Sequence, residues 1–249
     1  MLRFAANLSF LFTELPLEQR FDAAARAGFQ AVEMLLPYDH APSTLRDRIE
    51  AAGVTLALFN TPVHDWSDGG RGVAAIPGEE GRFRAEFELA LSYAEILMPA
   101  HIHIMSGLAH GPAARDCYLG NLDWAARHAP HQSLTIEPIN RSDMPGYFLH
   151  DMQQAAQVLD HVGAPNLNLQ FDAYHAQRIH GDVPGMWQRF GRRAVHVQVA
   201  GVPGRHEPAG GEIDYPAFFA ALENEGYNGF VSGEYTPART TTEGLGWMR

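Results

Sequence analysis

Four short segments of this sequence alternate apolar and polar residues with a period of two and finish on an oxygen donor. In residues 133–137 the polar side is Ser133, Thr135 and Glu137, and in residues 167–172 it is Asn168, Gln170 and Asp172. His196 and Gln198 oppose Val195, Val197 and Val199, while Ser232 and Glu234 oppose Val231. On a strand, period two puts each polar set on one face. Glu137, Asp172, Gln198 and Glu234 offer oxygen and no sulfur, which suits a hard divalent cation such as Mg2+ or Mn2+ with positions left for a substrate. Three carboxylates gathered away from water would repel one another and raise their own pKa values unless a cation sat between them. For any single one of them, capping the next helix or pairing with an arginine is at least as good an account. Four in phase favour the metal.

Such convergence needs a scaffold. Strand-like runs at residues 4–9, 31–34, 55–60, 101–105, 133–137, 167–172, 194–199 and 230–234 alternate with helical periodicity at 17–27, 43–52, 79–97, 116–129, 151–162, 183–190 and 215–225, with a weak final piece after Thr240. Gly28, Gly53, Gly163 and Gly226 stand where a left-handed residue would end a helix. Strand and helix units repeated eight times over 249 residues predict an α/β fold, a single (β/α)8 TIM barrel spanning 1–249 as one domain. An open doubly wound sheet fits the same alternation but usually shows a glycine-rich turn after its first strand, and Ala5-Ala6-Asn7-Leu8-Ser9 is not one. In a barrel the outward strand face packs on helices and must be apolar, so the polar faces point inward and the four donors meet at the C-terminal mouth.

Composition removes other chemistries. All 18 basic residues are arginine, so a Schiff-base lysine and a lysine-dependent phosphate loop are excluded. The lone cysteine, Cys117, excludes an intramolecular disulfide and a Cys-rich zinc site, and reads as a partly buried thiol. A formal charge of -11 opposes nucleic acid and anionic membrane surfaces. The apolar start is broken by Arg3, Asn7 and Ser9 and leads to no small-residue cleavage site, so it reads as the first strand of a cytoplasmic protein.

Residues with weaker signals surround the four donors. His175 lies three residues after Asp172, and Arg205 follows the seventh strand with a guanidinium suited to a substrate carboxylate. His101 and His103 are in phase on the fourth strand and read as hydrogen-bonded packing. Glu33 and Asn60 end strands two and three, where polar filling and function are evenly matched. The irregular stretch 61–78, with His64-Asp65-Trp66, follows a strand end and is expected to be a lid.

Several segments together resemble the hydroxypyruvate isomerase family, within the barrels that include ketose epimerases, xylose isomerases and endonuclease IV. They are Arg3-Phe4-Ala5-Ala6-Asn7-Leu8-Ser9, Ile136-Glu137-Pro138-Ile139-Asn140, Asp172-Ala173-Tyr174-His175, His196-Val197-Gln198-Val199-Ala200, Gly211-Glu212-Ile213-Asp214-Tyr215 and Gly233-Glu234-Tyr235. The resemblance implies a divalent metal on Glu137, Asp172, Gln198 and Glu234, with Glu137 and Glu234 as the proton donor and acceptor pair. Similarity to the ketose epimerases implies that His175 and Arg205 bind substrate oxygens. Those epimerases carry histidine where this chain has Gln198, so their substrates do not transfer.

The expected function is therefore a metal-assisted aldose-ketose isomerase of a small 2-oxo-3-hydroxy acid. Hydroxypyruvate, going to tartronate semialdehyde, is the first substrate and 2-oxo-tetronate the alternative. Residues 56–61 and 200–208 look closer to the 2-oxo-tetronate enzymes, and Glu137-Pro138-Ile139-Asn140 to the hydroxypyruvate enzymes. Two readings from other classes remain: an endonuclease IV-like repair enzyme with zinc on its histidines, and a sugar-acid binding protein without chemistry. The partners expected are a small hydroxy-oxo acid, with no nucleic acid and no membrane.

Overall fold

The structure is a computed structural model and describes residues 1–64 and 66–248. Eight parallel strands close into one barrel in chain order. They are β1 (Arg3–Asn7), β2 (Ala31–Met34), β3 (Thr55–Asn60), β4 (His101–His103), β5 (Leu134–Ile136), β6 (Leu167–Asp172), β7 (Ala194–Val199) and β8 (Phe230–Gly233). Closure is made by β1 on β8, with Arg3 opposite Phe230 and Ala6 opposite Gly233. The helices outside are α1 (Leu17–Arg26), α2 (Pro42–Ala52), α3 (Glu80–Leu97), α4 (Gly111–His128), α5 (Met152–Val162), α6 (Ala173–His180), α7 (Val183–Phe190) and α8 (Tyr215–Asn224). Among the described residues no helix is long and apolar enough to cross a membrane.

The outward faces of the strands carry the main core. Leu134, Ile136, Leu169, Phe171, Val197, Val199 and Val231 are all buried under the helices. Phe171 meets Trp187 of α7 edge-on with centroids 5.2 Å apart and stacks on Phe218 of α8 at 6.1 Å. Each such large side chain contributes about 1.5–3 kcal/mol through burial. Inside the barrel the floor is a separate small cluster, Ala5, Ala31, Ala57 and Phe230. The layers above it are polar: His103, Thr135, Gln170, His196, Gln198 and Ser232 are all buried.

Four helix starts are fixed by aspartate caps, which satisfy backbone N–H groups that lack helical partners. Asp151, Asp182 and Asp214 cap α5, α7 and α8. Asp172 caps α6, accepting from the backbone N–H groups of Tyr174 and His175. The sequence reading has no helix at residues 173–180, and it starts α4 at 116, five residues late. Pro112, in the first turn of α4, is the start signal it passed over. The final piece after Thr240 is a 3-10 helix, Thr241–Met248. Two strand pairs shift register, between Val32 and Glu33 in β2 and between Leu169 and Gln170 in β6. Such shifts re-aim side chains beside functional sites, and here each comes immediately before a residue of the polar interior.

Candidate active site at the barrel mouth

Strand ends bring Glu137, Asp172 and Glu234 to the barrel mouth. Asp172 is the last residue of β6, and Glu137 and Glu234 each follow the end of their strand by one position. Glu137, Asp172 and His175 each bring a ligand-type atom within 4.8 Å of the others. His175 Nε2 lies 3.6 Å from Asp172 Oδ2 and 3.8 Å from Glu137 Oε1. Glu234 joins through Arg205, whose guanidinium is paired with the Glu234 carboxylate and stands 3.5 Å from Asp172 Oδ2. The two bland accounts of a strand-end carboxylate therefore hold at Asp172 at once, since it caps α6 and faces an arginine.

Arg205 has a left-handed backbone, φ +53, held from both sides: its N–H donates to Gly201 O at 2.9 Å and its carbonyl accepts from Thr236 N at 3.0 Å. Its guanidinium carbon lies 4.9 Å from the Tyr174 ring centre and 5.4 Å from that of Phe10, so aromatic faces and carboxylates together fix it.

Gln198 is in place with its amide turned. Its Nε2 donates to Glu33 Oε1 at 2.8 Å and Glu234 Oε1 at 3.1 Å, and its Oε1 accepts from Gln170 Nε2 at 2.7 Å. Gln170 is itself set by donation to Glu137 Oε2 at 3.1 Å and by the Thr135 hydroxyl on its Oε1. Three residues that the sequence reading gave no firm role are thus part of the site. Gln170 stood in the polar phase without being singled out. Asn7 donates to both Glu33 and Glu234 at 2.9 Å. Glu33, fully buried, also accepts from His196 Nε2 at 2.6 Å.

His101 is hydrogen-bonded packing, its Nδ1 2.9 Å from Ser133 Oγ, whereas His103 also lines the cavity, with Nδ1 3.7 Å from Glu137 Oε2. His103 Nδ1 donates to Asn60 Oδ1 at 3.1 Å, and burial pushes both imidazoles down to about 3. Cys117 lies within α4 with its pKa raised to about 11, chiefly by burial, which disfavours the thiolate. From the stretch 61–78, Trp66 lines the cavity beside the site, while Asp65 lies outside the described residues.

The electrostatics are those of crowded buried acids. Burial raises Glu137 well above the usual carboxylate range, with the charges of Glu234 and Asp172 adding to it. Burial also raises Asp172, against Arg205 and two backbone donors. Glu234 is pushed up to about 8, mainly by burial, with Arg205 opposing. Four carboxylates, Glu33, Glu137, Asp172 and Glu234, are thus buried here, and Arg205 is paired with two of them, Glu234 and Asp172. That surplus of negative charge, with oxygen donors and no sulfur, fits a hard divalent cation. The cavity over these groups measures about 100 Å³ and is walled by Phe10, Leu35, Met105, Ile139 and Met144.

Known proteins resemble this chain over its full length. A family model described as a xylose isomerase-like TIM barrel matches residues 21–249. The 2-oxo-tetronate isomerase of Cupriavidus necator is 47% identical over 255 residues, covering 100% of this chain and 98% of that protein. The hydroxypyruvate isomerase of Escherichia coli strain K12 is 39% identical over 254 residues, covering 100% and 98%. A solved structure described as AP endonuclease, family 2 from Brucella melitensis superposes with TM-score 0.96 at 42% identity, covering 100% and 98%. D-psicose 3-epimerase from Clostridium cellulolyticum H10 gives TM-score 0.80 at 16% identity, covering 100% and 90%, a likeness of fold alone. With the barrel, the family model and full-length relatives in agreement, the chain belongs to the xylose isomerase-like TIM barrel family and, within it, to the hydroxypyruvate isomerase family.

Proposed function

We propose that this chain is a metal-assisted aldose-ketose isomerase that moves the carbonyl of a small 2-oxo-3-hydroxy acid between C2 and C3. The first substrate is hydroxypyruvate, giving tartronate semialdehyde. The second reading, 2-oxo-tetronate, is supported by the 47% identity to the Cupriavidus necator enzyme. The observation that carries the proposal is the meeting of two buried glutamates from separate strands, Glu137 and Glu234, over one small cavity.

The isomerisation takes a proton from one carbon and returns one to its neighbour through an enediolate. Glu137 and Glu234 come from separate strands and serve as the base and the acid. Arg205 binds the substrate carboxylate, and His175 binds a substrate oxygen. Glu137, Asp172, Glu234 and, once its amide turns, Gln198 would hold Mg2+ or Mn2+. When bound, the cation supplies positive charge against the developing enediolate. The apolar wall excludes water from the reacting carbons. We place the enzyme in the cytoplasm, acting as one barrel domain.

The test supplies hydroxypyruvate and 2-oxo-tetronate separately, with Mg2+ or Mn2+ and then with chelator, and follows products by proton NMR. Turnover that the chelator abolishes is the expected result, and the faster acid identifies the substrate. Incision of an abasic duplex without turnover of either acid would replace this reading with the repair enzyme. Binding without turnover would leave only a binding protein.

A further inference from the structure

The cluster of Glu137, Asp172 and His175 has two chemical readings: His175 either lends a lone pair to a cation or donates a hydrogen bond. Which one holds depends on which ring nitrogen carries the proton, and the partner of the other nitrogen sets that. His175 Nδ1 faces the Asn140 side-chain nitrogen, Nδ2, at 2.7 Å, and the Asn140 backbone N–H points at the same atom from 3.5 Å. The orientation of the Asn140 amide is fixed on its other side. Its Oδ1 accepts from Asp143 N at 3.0 Å, and its Nδ2 donates to Asp143 Oδ2 at 3.0 Å. Turning the amide over would set oxygen against the Asp143 carboxylate and nitrogen against the Asp143 N–H, two mismatches at once. Asp143 is held in turn by the Tyr174 hydroxyl, which donates to its Oδ2 at 2.8 Å.

Nδ1 therefore accepts, and the ring proton sits on Nε2, the atom that faces Asp172 and Glu137 and the cavity. We propose that Asn140 locks His175 as the Nε2–H tautomer, which makes His175 a hydrogen-bond donor to a substrate oxygen and keeps it out of the metal's ligand set. An N–H has no lone pair to give a cation. To become a ligand, His175 would have to move its proton to Nδ1, against two N–H groups. A donor aimed at the oxygen where negative charge grows as the carbonyl shifts stabilises that charge without reorganisation. Asn140 acts through His175 and is a positioning residue. What the donor is for rests on the isomerase reading; the tautomer does not.

Ring nitrogen shifts decide it. In 15N-histidine protein, with His175→Gln used to assign the signals, His175 should show a bare Nδ1 and a protonated Nε2, both without metal and after adding Mg2+. A protonated Nδ1, or loss of the Nε2 proton when Mg2+ is added, overturns the proposal. Asn140→Asp puts an acceptor opposite Nδ1. It should reverse the tautomer and lower kcat by about 100-fold, the size of a lost oxyanion donor, while Mg2+ is still bound. Full kcat with a reversed tautomer would remove His175 from the chemistry and overturn the role. If Asn140→Asp fails to fold, the parental spectrum still decides the tautomer. The expected tautomer in a chain that turns over neither acid would sink the isomerase reading and leave the lock standing.

Discussion

Glu137 and Glu234 each sit one residue past a strand, rigid enough to be aimed and free enough to reach into the cavity. Replacing either by glutamine keeps shape and removes the proton-transfer group. Glu137→Gln and Glu234→Gln should each lower turnover by about 10²–10⁴-fold. Because both also lie in the ligand set, metal content has to be measured in parallel. Loss of deuterium exchange from D2O into substrate, with metal retained, identifies the proton role. Exchange at the parental rate in both would transfer it to another group. Arg205 calls for a different readout, since a lysine carries the charge without the planar fork. Arg205→Lys should raise KM by about 10–100-fold, matching about 1.5–3 kcal/mol for a charge-assisted hydrogen bond, with a smaller change in kcat. Residue types in phase made the four donors and Glu33 visible in the sequence. Asn7 and Gln170 were not, because an interior amide has many uses and only its partners show which applies. The turned amide of Gln198 was equally invisible, since two carboxylates and an amide from three other strands set it.

Among the elements, β2, β3, β6 and β7 stand where the apolar alternation put them, because a parallel strand buried on its outward face has little latitude. The helix α6 was missed because its start is a ligand-type residue. Asp172 reads as the end of a strand, and its second use as a cap appears only with the backbone donors in place. The loops after β3 and β4 are legible least of all, because they are fitted to each other by backbone contact. A Cβ on Gly72 would come 2.5 Å from Met105 O, and one on Gly107 would come 2.4 Å from Gly72 O. Both glycines also have positive φ, +87 and +90. Gly107→Ala should therefore lower stability by about 1–3 kcal/mol from backbone strain alone, with more from the clash. Urea unfolding would measure it, and an unchanged midpoint would mean the two loops do not depend on each other.

For the whole molecule, the buried charges set a pH dependence whose sign follows from the two kinds of group. His101 and His103 are neutral in the fold with pKa values near 3, so their stabilising share is present above the ordinary 6.5 and lost as pH falls. Glu234 is raised from 4.5 to about 8, so its share is present below the ordinary value and lost as pH rises through 8. Between about 6.5 and 8 only the second slope remains. Metal-free protein should accordingly melt at lower temperature as pH rises through that window. Mg2+ at 100 times its Kd should restore about 2.7 kcal/mol. A flat melting profile in chelator would mean that the acids share their protons differently. A separate consequence comes from the floor of Ala5, Ala31, Ala57 and Phe230, over whose ring the Arg3 guanidinium sits at 4.4 Å. A vessel stoppered at its base handles traffic in single file. Product has to leave by the opening through which the next substrate arrives, so the two contend for one doorway. Added product should then slow initial rates in a purely competitive pattern, raising KM and leaving kcat untouched.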